Sequence, residues 1–244
     1  MIDTLAQLMD PGALAIVLAG TAIATLARCG WRDLRSALVA AARLGRADFD
    51  EALNRRALSR TIGEIRRVGL LGADAPLPPD RALAGALAAL LRTGSLDAFH
   101  AARRADRAAR EAARAAAVRV FDYAGELGPV FGLVGTLFAI TQLVPGAASA
   151  AAVDDPTITT LAAVGTAVLS SLYGVLTAHL VCIPVAHAIE RKGEREEDAR
   201  SRLAEWLACE IAAVTARRAS VTRLHEVGLA EVPRLREAEA GRAR

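Results

Sequence analysis

Aromatic side chains make up only 4% of this 244-residue chain, and lysine is nearly missing: Lys192 is the single one among 30 basic residues. So few rings leave little to stack on bases. A net charge of +3 is too small to hold a polyanion, so no nucleic-acid partner is expected. The three cysteines, Cys29, Cys182 and Cys209, have no motif spacing and read as free thiols, without a disulfide framework or zinc site. Enzyme signatures are missing too. Lys192 is followed by Gly193, so there is no Walker A sequence, and His225-Glu226 lacks a second histidine at zinc-protease spacing. Four dispersed histidines support no Ser/His/Asp set. Neither an enzyme nor a bound cofactor is expected.

The most informative absence is local. Residues 1–27 and 120–190 contain no Lys or Arg; 18 cations lie between Arg28 and Arg119, and 12 between Arg191 and Arg244. A soluble protein scatters its cations, because polar and apolar residues alternate with the period of each element. Here the cation-free stretches are also the apolar ones, and 53% of the chain is apolar. The pattern predicts an all-α integral membrane protein with three spans. The first is 11–27, after a short segment 1–10. A cleaved signal peptide would need a cationic leader, whereas this chain opens with Asp3 and Asp10. The second span falls within 120–145, its apolar run beginning at Leu127. After a loop at 146–156 comes the third, 157–189, with more uncharged residues than a core of ~30 Å requires.

Cations near the span ends set the direction. Arg28, Arg32 and Arg35 follow the first span, Arg114 and Arg119 precede the second, and Arg191, Lys192 and Arg195 follow the third. Asp3, Asp10, Asp154 and Asp155 mark the opposite ends. The expected topology is N-out and C-in, with 28–119 as a cytoplasmic helical domain and 190–244 as a cytoplasmic helix and tail.

Within that domain, Phe49, Leu53, Leu58, Ile62 and Ile65 recur at near-helical spacing over Arg43 to Arg67. Pro76-Leu77-Pro78-Pro79 marks a loop or helix start. From Asp97 an Ala-, Arg- and Glu-rich pattern runs into the second span, predicting one helix of about 60 Å. Arg103, Arg107, Arg110 and Arg114 share one side of it, either as a solvated face or as a docking strip for an acidic partner or lipid phosphates.

The second and third spans lack Asp, Glu, Lys and Arg across their cores. An ion relay normally needs an ionisable group in the membrane. Only His179 and His187 lie at that depth, so an ion-carrying acid would have to come from another chain. What the spans do offer is hydroxyls, including Thr136, Thr166, Ser170 and Ser171. Gly132, Gly135 and Gly174 allow close helix packing, with Tyr173 beside them. Pro129 and Pro184 each remove a backbone donor inside a span, so each is a fixed kink or a hinge.

Gly128-Pro129-Val130-Phe131-Gly132-Leu133-Val134-Gly135-Thr136-Leu137 resembles the P-x-x-G-x-x-G-T opening of the second-last span in the MotA/TolQ/ExbB proton-channel family. Ala167 to Ala178 resembles the A-L-x-T-T-x-x-G-x-x-x-A pattern of its last span. The continuation Ile183-Pro184-Val185-Ala186, then Glu190-Arg191-Lys192, is similar to the flagellar-stator (MotA) branch, as is Asp155-Pro156. Asp10-Pro11 and Gly20-Thr21 resemble the start of the second span in that branch, so this chain is read as lacking the branch's first span. Three spans is the count found in the ExbB and TolQ branches. Those carry a glutamate where this chain has Thr166, five residues before Ser171.

The resemblance implies a bacterial inner-membrane homopentamer around a single-span partner, MotB-like or else ExbD/TolR-like, whose membrane aspartate carries H⁺ or Na⁺. It implies an ion pathway at Thr136, Thr166, Ser170 and Ser171. A weaker likeness of Arg66-Arg67-Val68-Gly69 and Asp74 to the branch's rotor-facing stretch implies rotor contact through Arg66 and Asp74. The alternatives are an ExbB/TolQ-type energiser of an envelope protein, or a non-conducting membrane scaffold.

Overall fold

The computed structural model describes residues 10–70, 76–141 and 156–242, with side chains for 10–70, 76–141, 160–217 and 220. Every regular element among them is helical: α1 (Pro11–Cys29), α2 (Trp31–Ala42) with a 3₁₀ turn (Arg43–Gly45), α3 (Glu51–Val68), α4 (Arg81–Thr93), α5 (Leu96–Thr141), α6 (Pro156–Leu176), a π turn (Thr177–Cys182) and α7 (Ile183–Arg242). Three of these stretches are long and apolar enough to cross a membrane: Pro11–Cys29, Leu96–Thr141 and one within Thr160–Arg217. Asp74 and the loop 146–155 lie outside the described residues.

Local chemistry sets the helix ends. Asp10, Asp50 and Asp80 cap α1, α3 and α4, each accepting from backbone N–H groups of the first turn at 2.8–3.2 Å. The helix anticipated from Arg43 therefore starts at Glu51 instead, because the 3₁₀ turn stops α2 and Asp50 nucleates a new N-terminus. Gly30, with φ 82°, ends α1 and lets α2 leave in a new direction.

The chain forms two compact units. The first, Met1–Asp48 and Ala109–Arg195, holds α1, α2, α6, the π turn and most of α5. Ala37, Ala117 and Val120 make a small buried cluster in it, with Cys29, Leu34, Ala40 and Phe121 against them. Arg28, at the end of α1, stacks 3.8 Å above the Tyr123 ring and reaches Glu126 at 3.3 Å. At the far end of α6 the helix widens: Ile183 donates to the Ala178 carbonyl five residues back, just before Pro184, which has no N–H to give. The π turn is how the helix accommodates that proline.

The second unit, Phe49–Ala108 and Glu196–Arg244, has a larger apolar core. Leu58, Ile62 and Ile65 of α3, Leu83, Leu87 and Leu90 of α4, Phe99 of α5, and Leu203, Leu207 and Ile211 of α7 are all buried together. Leu53, expected on the same face, is half exposed, since α3 turns Asn54 and Thr61 inward. Asn54 donates to the Asp50 carbonyl and accepts from the Asp80 N–H, joining the starts of two helices. Arg200 bonds Asp80 and Glu196 at 2.9 and 3.1 Å.

The arginine strip of α5 is not uniformly solvated: Arg107 is exposed, Arg110 and Arg114 are partly buried, and Arg103 is buried. Arg103 is buried and meets buried Glu197 at 3.3 Å and Ser201 at 3.4 Å. In the first unit, Arg114 lies across Gly193. Removing one member of a buried ion pair strands the other charge. Arg103→Ala should therefore lower unfolding stability by about 3 kcal/mol or more, and the Arg103→Leu, Glu197→Leu pair should recover most of that loss. Thermal unfolding in detergent, read by helical signal, checks both.

Candidate functional site

Where α5 and α6 meet, the contact is backbone against backbone. A methyl group on Gly128 would sit 2.8 Å from the Gly174 carbonyl oxygen, and one on Gly174 would sit 2.5 Å from that of Gly128. At Gly132 it would stand 3.0 Å from the Ser170 carbonyl, and at Gly135 it would strike the Ser170 side chain. Three of these glycines recur at positions 128, 132 and 135, along one helical face. The small-residue positions anticipated for packing are thus the ones in closest approach. Tyr173 points elsewhere, toward α1.

This approach brings three of the four expected pathway hydroxyls together. Thr136 Oγ1 lies 2.8 Å from Ser171 Oγ and 3.4 Å from Ser170 Oγ. It is also 3.1 Å from the carbonyl oxygens of both Gly132 and Ala167. Ser170 is fully buried and donates to the Ala167 and Gly132 carbonyls at 2.9 and 3.2 Å. A cleft of about 380 Å³ opens beside the group, lined by Thr136, Ile140, Ala163, Val164, Ala167, Val168 and Ser171. Its wall is apolar except for the hydroxyls of Thr136 and Ser171. No carboxylate or cation lines it, and no group of three or more His, Cys, Asp or Glu suited to a metal occurs among the described residues.

The fourth residue, Thr166, is elsewhere. Five positions from Ser171, it is turned by about 140° at 3.6 residues per turn, and its hydroxyl donates to Asp10 Oδ2 at 2.9 Å. Asp10 N–H in turn donates to Tyr173 Oη at 3.0 Å. Thr166 and Tyr173, seven apart, share the face of α6 that receives the start of α1. In the sequence Asp10 is a flanking charge and, with Pro11, part of the likeness to a span start; neither reading implies a contact with Thr166. It caps the start of α1 and lies beside Thr166, ten residues along α6 from Pro156, or about 15 Å at 1.5 Å per residue. The seven-residue spacing of two hydroxyl groups on one helix was the available signal.

Of the two prolines, Pro129 sits inside α5, and its missing N–H leaves the Gly125 carbonyl without a helical donor. Gly125 packs beside Cys182 and Ile183, at the π turn that precedes Pro184. The two weak points of the two spans are therefore adjacent. His179, within the π turn, and His187, within α7, are exposed on the chain's surface. Arg66 is exposed at the end of α3 and bonded to Glu210 at 2.6 Å.

The sequence matches the model of the MotA/TolQ/ExbB proton channel family over residues 75–202, just over half of the chain. The chain belongs to this family. Comparison with curated proteins gave no significant match. Among solved structures, the fold is similar to MotAB of C. jejuni, with a TM-score of 0.72 and 16% identity over 85% of this chain and 80% of that one. It is also similar to the flagellar MotAB stator complex from Bacillus subtilis, with a TM-score of 0.68 and 20% identity over 84% of this chain and 79% of that one.

Packing and chemistry at this contact are separable. Gly174→Val should lower unfolding stability by about 1–3 kcal/mol through overpacking, measured by thermal unfolding in detergent. Thr136→Val keeps the shape and deletes one hydroxyl. Stability should change by no more than about 1.5 kcal/mol, read by the same unfolding measurement.

Proposed function

We propose that this chain is the ring-forming, ion-conducting subunit of a stator complex in the bacterial inner membrane, and that it converts an ion-motive force into rotation. The ion is H⁺ in preference to Na⁺, in keeping with the family's description as proton channels. Five copies surround a MotB-like single-span partner, with the N-terminus outside and residues 28–119 and 190–244 in the cytoplasm. The partner supplies the membrane aspartate that carries the ion.

The observation that supports this reading is the hydroxyl cluster at Thr136, Ser170 and Ser171, at the wall of an apolar cleft lined by no acid or base of its own. A carboxylate in hydrocarbon costs several kcal/mol unless it is solvated or paired. Thr136 and Ser171 can donate to it when it is ionised and accept from it when it is protonated. An ion crossing ~100 mV releases about 2.3 kcal/mol per charge. Loading and unloading the aspartate changes which face of a neighbouring subunit it prefers, and the ring steps around its axis. The Gly125 carbonyl that Pro129 leaves free, beside the π turn before Pro184, gives the two spans a place to bend.

On this reading the exposed Arg66, at the end of α3, belongs to the surface that meets a rotor, and Asp74 is assigned to the same surface by likeness to the family's pattern. Thr166 favours a stator over an energiser of the ExbB/TolQ kind, because the glutamate of those branches is here a threonine whose hydroxyl is engaged by Asp10.

Vesicles containing this chain alone should hold a pH gradient. Vesicles containing the chain with its co-purified single-span partner should dissipate it, and changing the partner's membrane aspartate to asparagine should stop the flux. Full-rate current from this chain by itself, or undiminished flux in a Thr136→Val, Ser171→Ala double variant, would overturn the proposal.

A further inference from the structure

Twenty-nine of the thirty cations are arginines, so the one position that is lysine departs from a strong habit of this sequence. Lys192 stands near the start of α7 with its side chain only 17% exposed. Its Nζ donates to the carbonyl oxygens of Arg46 at 2.7 Å, Arg43 at 3.2 Å and Leu44 at 3.5 Å, and meets Asp48 Oδ1 at 2.9 Å. Those carbonyls belong to the 3₁₀ turn that ends α2 and to the residue just after it. A helix terminus leaves such oxygens without intrahelical donors and carries partial negative charge. An ammonium, with three rotatable donors about one point, suits several acceptors converging from different directions. A guanidinium is a planar fork fitted to coplanar pairs and cannot reproduce that arrangement. The hydrogen bond from Lys192, which outranks simple charge attraction here, also holds the Asp48 carboxyl below the usual carboxylate range.

The location adds a second observation. The chain passes between the two units at Asp48/Phe49, Ala108/Ala109 and Arg195/Glu196. Lys192 stands three residues before the last passage and bonds the residues that end at the first. The next residue, Gly193, lies under the Arg114 side chain, five residues past the second passage; a methyl on Gly193 would fall 2.5 Å from Arg114 Cδ. The three stretches of chain that leave the first unit are thus tied to one another inside it.

We propose that Lys192 is a positioning residue whose ammonium clasps the 43–48 turn to the last helix and, together with Arg114 over Gly193, fixes the three exits of the first unit as a set. Movement of the membrane helices is then passed along the chain instead of being taken up in a loose turn. This role rests on the stator reading above.

The test uses the full chain in complex with its partner, as Lys192→Met and Lys192→Arg. Hydrogen exchange is followed at the Arg46 amide, which closes the turn on the Arg43 carbonyl at 3.1 Å. Both variants should exchange there about tenfold faster or more, with arginine no substitute for lysine. Ion flux in vesicles should stay within about twofold of the unsubstituted complex while torque on tethered cells drops several-fold. Unchanged exchange in Lys192→Met, or full protection in Lys192→Arg, would overturn the clasp. Flux falling in step with torque would overturn its coupling role. If the unsubstituted complex drives no rotation, the stator reading fails, and the exchange measurement still judges the clasp.

Discussion

The close approach of α5 and α6 is the constraint on which the rest depends. Two helices normally stand 8–10 Å apart, the distance being set by the side chains between them. Here Gly128, Gly132 and Gly135 face Gly174 and the backbone of Ser170 and Ser171, and nothing thicker than a hydrogen fits at the tightest points. In hydrocarbon, association cannot rely on the hydrophobic effect, so packing and interhelical hydrogen bonds must supply it. Thr136 contributes the hydrogen bond: its hydroxyl reaches the Ala167 carbonyl of the opposite helix. Once that register is set, Ser171 has to fall opposite Thr136, and the cleft opens on the side where Ala163, Ala167 and Val168 are too short to close it. The polar pair is a consequence of the glycines as much as of the hydroxyls.

The same helix uses its other face for a different purpose. Thr166 and Tyr173 receive Asp10, whose carboxylate caps α1 and accepts from Thr166 at once. An N-cap carboxylate offsets the positive end of a helix dipole, and the threonine hydroxyl satisfies a further lone pair. A helix that would otherwise begin with bare N–H groups is thereby anchored to its neighbour at a fixed level. Two faces of α6 thus divide the work: one holds α1, while the other sets Ser171 against Thr136 of α5 at the wall of the cleft.

Much of this was legible in the sequence, for identifiable reasons. Charge-free runs and their flanking arginines place the three long apolar helices, because no other environment tolerates such segregation. The G-x-x-G-T run places Thr136 on the face that meets α6, since glycine spacing and helix period act together. That Thr166 faces Asp10 and not the Thr136 group could not be read, because membership of a span says nothing about azimuth; five residues swing a side chain by about 140°. The burial of Arg103 within the arginine strip was hidden for a related reason. On a lone helix, Arg103 looks solvated, and only the approach of α7, eighty residues further on in sequence or more, converts it to a buried partner of Glu197. Lys192 carried a signal of composition and none of geometry, because three backbone carbonyls leave no trace in a side-chain pattern.

Why hydroxyls, and not an amide or a second acid, should line such a cleft follows from their valence. Thr136 has one proton to give and four acceptors within reach: the Gly132 and Ala167 carbonyls and the two serine hydroxyls. Rotating about one bond moves that proton between them without leaving it unpaired, and Ser171 can answer by reversing its own direction. A buried polar group that loses its partner costs about 1–3 kcal/mol; here a substitute acceptor stands ready in the helix itself. A foreign carboxylate could therefore be met as an ion and released as an acid while the wall stays satisfied in both states. A fixed charge in the same place would stabilise only one of those states and oppose the other. A wall able to serve an ion that comes and goes needs near-equal energies on either side of the exchange, and paired alcohols backed by spare carbonyls supply them.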